Sequence, residues 1–156
     1  MNIIIDTREQ KPFDMTTASF AGAEFEIVRQ KLDCGDYSVE GFEDKIVVER
    51  KATPAELYGN LATEKMRERF YREMEKLSKV EEAYILCEFA ESCLYTFPKN
   101  SGIPIKKQKY LRVGAKYFRK LVYEVAEKFN VEYIFCDNRM EAELKTFELL
   151  TQAANR

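Results

Sequence analysis

The chain switches between runs of apolar residues with strand-like spacing and stretches with helical spacing, and each switch marks an element. Asn2 to Asp6 holds Ile3-Ile4-Ile5, too short and too β-branched for a helix, and predicts a buried strand that ends at Asp6. Residues 9–23 carry Pro12, Gly22 and several Ser and Thr, which predicts an irregular segment with a short helix around Met15 to Phe20. Glu24 to Lys31 sets Phe25 and Ile27 between Glu24 and Glu26, the alternation of a second strand. Asp36 to Glu40 and Lys45 to Arg50 form a hairpin around Gly41, with Tyr37 and Val47 expected to face the core. Thr53-Pro54-Ala55-Glu56 is a helix start: Thr53 caps, Pro54 suits the first helical position and Glu56 completes a capping box. Leu57, Leu61, Phe70, Met74 and Leu77 then give one apolar face to about Lys79.

Ala83 to Phe89 reads as a strand, and Ala90 to Pro104, with Pro98, Gly102 and Pro104, as a long exposed loop. From Lys106 to Phe129 the residues Leu111, Ala115, Phe118, Val122, Val125 and Phe129 recur at three and four, which predicts one long helix. Val131 to Cys136 is a strand, and Arg139 to about Ala153 a last helix presenting Met140, Leu144 and Phe147. Four strands, then helix, strand, helix, strand and helix make an α/β class, a mixed central sheet flanked by helices.

Composition narrows the chemistry more than the fold. The 156 residues suit one domain with its own core, and no apolar run approaches the roughly 18 residues that a bilayer span needs. A cytoplasmic location is expected, nucleoid-associated or nuclear if the source is eukaryotic, with no membrane partner. The four cysteines are scattered and predict reduced, buried thiols. There is no histidine, which removes Ser-His-Asp and Cys-His hydrolases and His-ligated zinc from consideration. A site of carboxylates and lysine passes that filter. Glu49 and Lys51 share one face of a strand because side chains alternate, and Asp36 sits on the preceding strand. Two carboxylates can hold a hard cation, and an ammonium beside them can orient an attacking water. The other reading of Glu49 and Lys51 is a solvated pair on an amphipathic strand.

Gly35-Asp36-Tyr37, Val48-Glu49-Arg50-Lys51 and the upstream Asp6-Thr7-Arg8-Glu9 occur in an order that resembles the nuclease domain of the XPF/MUS-type structure-specific endonucleases. The resemblance implies a restriction-endonuclease-like fold over residues 1–156 as a single nuclease domain, without the tandem helix-hairpin-helix domain that relatives often carry. It implies an Mg²⁺- or Mn²⁺-dependent DNA endonuclease acting on branched, flap or junction DNA. It carries catalytic roles onto Asp6, Arg8, Glu9, Asp36, Glu49, Arg50 and Lys51, with Asp36, Glu49 and Asp6 as the metal set. Arg8 suits a phosphate clamp. Arg50 points away from Glu49 and Lys51, so pairing with an acid such as Glu9 is its alternative. Family members often have an Asp four residues after the Lys, where this chain has Ala55, and Glu56 beside it is either a substitute or a capping residue.

Lys106, Lys107, Lys109, Arg112, Lys116, Arg119 and Lys120 lie in one stretch free of acids. In a chain of net charge −2, this one-sided run is expected to contact DNA backbone, its alternative being a solvated face. Arg69, four residues before Glu73, is a further DNA-binding candidate or half of an ordinary helical ion pair. A homodimer, or a heteromeric DNA-repair partner, is expected from the family and from Phe147, Leu149 and Leu150 near the end of the last helix. A non-catalytic DNA-binding or scaffolding subunit is the competing function, and a protein-interaction module with a vestigial nuclease fold is the third.

Overall fold

A computed structural model describes all residues 1–156. Six strands form one mixed sheet in the order β2-β1-β3-β4-β5-β6. They are β1 (Asn2–Ile5), β2 (Glu26–Arg29), β3 (Tyr37–Val39), β4 (Ile46–Lys51), β5 (Glu82–Cys87) and β6 (Glu132–Phe135). β3 runs antiparallel to both β1 and β4, while β2, β5 and β6 join as parallel neighbours. Helices cover both faces. On one side α2 (Pro54–Leu61), α3 (Glu64–Leu77), the short α4 (Ser92–Tyr95) and α6 (Ala115–Lys128) close a core around Val47, Ile85 and Cys87. On the other, α7 (Arg139–Ala154) and the short α1 (Thr16–Phe20) cover Ile3, Ile5, Tyr37, Ile46, Val48 and Leu86. Tyr37 and Val47 are both buried as the alternation requires, but in opposite cores. A strand buried on two faces needs an apolar run, and Ile46-Val47-Val48 supplies it.

Several boundaries differ from the sequence expectation, each for a local reason. The helix expected from Thr53 to Lys79 is two, because Thr63 is extended and accepts a hydrogen bond from the N–H of Met66 at 3.2 Å, capping α3. Thr53 makes no side-chain cap on α2, so the capping box is absent and Glu56 is free of it. The helix expected over 106–129 begins only at Ala115, after the four-residue α5 (Ile105–Gln108). Like charges three and four residues apart would repel on one helix, and Val113-Gly114 is a poor helical pair. Leu111 and Val113 still reach the core, from an extended segment.

β2 lies at the sheet edge and leaves Ile27 39% exposed, while Phe25 falls outside the strand and packs on Phe147 at 5.3 Å. α7 is rotated from the expected stripe. Ala142, Thr146, Leu149, Leu150 and Ala153 are buried, whereas Met140 and Leu144 face solvent. Phe147, Leu149 and Leu150, expected to form a pairing surface, are therefore used inside the chain.

Candidate active site

The chemistry sits where β3 meets the end of β4. Gly35 turns the chain into β3 at φ +75°, and a Cβ there would lie 2.1 Å from Cγ1 of Val47, so both conformation and space demand glycine. The next residue, Asp36, bridges two strands by its backbone: its N–H donates to the Val48 carbonyl at 2.9 Å and its carbonyl accepts from the Asp6 N–H at 2.8 Å. Its Oδ2 accepts from the backbone N–H of Arg50 at 2.7 Å. The carboxylate is thus fixed against the strand residue between Glu49 and Lys51. Burial, and then the nearby Glu49 charge, push the Asp36 carboxyl well above the usual range.

Lys51 Nζ lies 3.4 Å from Glu49 Oε1 and 5.3 Å from the centre of the Phe70 ring. The lysine is 9% exposed and Glu49 21%, so the pair faces a recess rather than open solvent. Asp36, Glu49, Lys51 and Glu56 line a cleft of about 370 Å³ together with Arg8, Glu9, Lys11 and Arg50. Glu49 and Lys51 also line a neighbouring cavity of about 310 Å³ with Arg69, Glu73 and Asn60. Arg69 therefore stands beside the carboxylate–lysine pair, and Glu56, released from capping, joins the cleft on its other side.

The remaining motif residues are spent within the chain. Asp6, only 1% exposed, accepts from the N–H and Nε of Arg8 at 2.9 and 2.8 Å, from Arg8 Nη2 at 3.1 Å and from the Leu32 N–H at 2.7 Å. Burial opposes its charge, but these hydrogen bonds outweigh it and hold the carboxyl below its ordinary value. No three Asp, Glu or Cys side chains converge on one cation position, so Asp6 does not join Asp36 and Glu49 as expected. Arg8 braces Asp6 and the Leu32 carbonyl, yet 59% of its side chain stays exposed at the cleft.

Arg50 crosses to the other face of β4. It grips Glu9 through Nε and Nη2 at 3.0 and 2.8 Å and Glu88 through Nη1 at 2.6 Å, all three side chains being nearly inaccessible. Arg139 holds the second oxygen of Glu88 at 3.1 Å and donates to the carbonyls of Lys11 and Pro12. The alternative of an Arg50–Glu9 pair is the arrangement found. Sequence reasoning misses Glu88 and Arg139, although an acid in the apolar run Ala83 to Phe89 is the mark of a buried partner.

The basic residues form a surface rather than one helical line. Lys106 and Lys107 are on α5, Lys109 and Arg112 follow it, and Lys116, Arg119 and Lys120 are on α6. All are exposed except Arg119, half-buried against Tyr95; Lys120 approaches Glu124 at 3.9 Å. A backbone bond from the Ala55 N–H to the Ser101 carbonyl, 2.9 Å, ties the preceding loop to the head of α2 at the cleft.

Comparison with known proteins agrees with this fold. By overall shape the chain is similar to XPF from Aeropyrum pernix, with a TM-score of 0.69 at 16% identity, over 100% of this chain and 66% of that one. XPF from the same organism in complex with DNA gives 0.68 at 16% identity, over 99% and 65%. The chain spans just under two thirds of the length of these solved chains, and the likeness establishes the restriction-endonuclease-like fold. No curated protein matches it in sequence. The family model for the ERCC4 domain matches residues 5–145, a span that contains every acid and base of the cleft, and the chain belongs to the ERCC4 domain family.

Proposed function

We propose that the chain is a metal-dependent DNA endonuclease whose working groups are Asp36, Glu49 and Lys51, acting on branched, flap or junction DNA. The observation that carries this reading is their convergence at the β3–β4 junction, with the Asp36 carboxyl raised by its own burial and by Glu49. Two crowded carboxylates with no cationic partner for Asp36 suit a divalent cation, which would relieve the repulsion that raises Asp36. Mg²⁺ or Mn²⁺ bound there would supply Lewis-acid stabilisation of a phosphate and activation of water. Asp36 and Glu49 would hold it.

Lys51 positions the water and offsets charge that builds on the phosphate oxygens. In the hydrolysis, the water oxygen adds to phosphorus, one P–O ester bond breaks, and the water proton passes to solvent as the leaving oxygen takes one up. Arg69 and the exposed side of Arg8 flank the pair and suit contacts to phosphates. Asp6, Glu9 and Arg50 act through position, holding β1, the loop after it and β4 in register.

Cleavage of a panel of branched and linear DNAs with added Mg²⁺, Mn²⁺ or chelator tests the reading, with metal binding followed by calorimetry. Cleavage should need the metal, Glu49→Gln should lose both cutting and metal binding, and Lys51→Met should lose cutting while still binding metal. Undiminished cutting in excess chelator would refute it. A non-catalytic DNA-binding subunit is the second reading, favoured by Ala55, and it predicts binding without cleavage under every condition.

A further inference from the structure

From Ser92 to Tyr123 the chain contains no Asp or Glu, and among its basic residues it exposes three tyrosines. Tyr95 is 57% exposed, Tyr110 73% and Tyr117 45%. A single exposed ring needs no explanation, but three of them grouped among basic side chains and apart from any acid make a patch with one chemistry.

The fold holds two of these rings in defined settings. Tyr95 closes α4, and the guanidinium of Arg119 lies over its ring at 4.3 Å, the shortest cation–ring distance in the chain. Ring and guanidinium together make a positively charged plate at the surface. Tyr110 lies in the turn that follows α5, and Tyr110 and Arg112 are exposed while Leu111 and Val113 pack against the core. Lys109 Nζ is 5.1 Å from the Tyr110 ring. Tyr117 lies in the first turn of α6 beside Lys116.

The root of this surface abuts the cleft. Gly102, at φ +88°, comes so near Thr53 that a Cβ would sit 3.3 Å from its side chain, and the Ser101 carbonyl accepts the Ala55 N–H. Thr53 is two residues beyond Lys51.

We propose that this surface holds unpaired nucleotides of a DNA strand beside the cleft, with bases stacked on the Tyr95–Arg119 plate and on Tyr110 while the surrounding basic side chains follow the phosphates. Bases within a duplex are already stacked on one another, so an exposed ring gains only from unpaired ones, and it does so without regard to sequence. The inference rests on the nuclease reading for its place in the reaction.

Fluorescence anisotropy in chelator, where nothing is cut, tests it with three probes: an oligothymidylate strand, an abasic strand of equal length and charge, and a duplex. The full chain should bind oligothymidylate at least about fivefold more tightly than the abasic strand. Tyr95→Ala and Tyr110→Ala should each weaken oligothymidylate binding by about fivefold or more and leave the abasic strand and duplex within about twofold; Tyr→Phe at either position should retain binding. Equal affinity for normal and abasic strands overturns the proposal, as does a loss shared by all three probes or an absence of single-strand binding. The same proteins assayed with Mg²⁺ separate the two readings. Ring-dependent binding without cleavage would remove the nuclease reading and leave this surface standing, whereas cleavage with ring-independent binding would remove only the stacking surface.

Discussion

Replacing Arg50 with alanine is the sharpest test of how the site is held. The guanidinium makes three charge-assisted hydrogen bonds, two to Glu9 and one to Glu88, among side chains 6 to 7% exposed. After Arg50→Ala, Glu88 keeps Arg139, but Glu9 keeps only the Lys11 N–H at 3.1 Å and becomes a buried charge without a counter-charge. Breaking a buried pair from one side costs about 3–5 kcal/mol, a large share of the roughly 5–15 kcal/mol that holds a domain together. With a urea slope of about 2 kcal/mol/M, the unfolding midpoint should fall by about 1.5–2.5 M. The pH dependence carries a sign of its own. In the native protein burial opposes ionisation of Glu9, but Arg50 outweighs it and holds the carboxyl low, so its stabilisation is present above the unfolded value of about 4.3 and fades as pH falls through the lowered one. In the variant burial is opposed only by backbone N–H groups and no longer by a counter-charge, so the carboxyl rises, and the deficit should be largest near pH 8 and shrink toward pH 5. Adding Glu9→Gln should recover part of the loss. Urea titrations followed by far-UV circular dichroism at both pH values read all of this. A midpoint shift below about 0.5 M, or one that does not change with pH, would refute the buried-network account.

Gly35→Ala should cost about 2–4 kcal/mol from positive-φ strain and from the 2.1 Å approach to Val47, and thermal melts should show Val47→Ala recovering the steric share but not the rest. Asp36→Asn removes an ionisation that folding penalises: with its carboxyl raised by burial and Glu49, wild type loses stability as pH rises from the unfolded value toward the raised one. In chelator at pH 7.5 the variant should therefore melt higher than wild type, yet gain nothing from Mg²⁺ and cut nothing, and a lower melting temperature would count against the repulsion described. Changing Lys109, Arg112 and Lys116 together to Ala should weaken binding to every DNA structure and flatten the salt dependence by about 0.9 log units for each phosphate no longer neutralised; an unchanged slope by anisotropy would make the patch a solvated face.

The elements around β4 were legible because their signals are local. Ile46-Val47-Val48 forces burial on two faces, Gly35 and Gly41 fall where positive φ is needed, and alternation sends Arg50 away from Glu49 and Lys51. What escaped depends on the third dimension. Whether Asp6 looks into the cleft or toward Arg8 is decided by the Leu32 N–H, 26 residues away, and no periodicity reports that. Met140 and Leu144 fit a helical stripe as well as Leu149 and Leu150 do, and only the position of α7 over the sheet chooses between them. The break before Ala115 is foreshadowed by Gly114 and the crowded like charges, but the apolar spacing across it is unbroken and outweighs them in a reading by periodicity.

The Glu88 carboxylate, shared by Arg50 and Arg139, has a consequence for the order in which the protein is made. Synthesis delivers Asp36, Glu49 and Lys51 well before Arg139 and the α7 residues that cover Ile3, Tyr37 and Ile46. A nascent chain that has emerged only as far as Glu88 lacks the α7 cover over the apolar face of its sheet and the second arginine on Glu88. The Arg50–Glu88–Arg139 network beside the cleft is complete only when α7 docks, and until then the uncovered part of that face is apolar surface of the kind a chaperone would recognise.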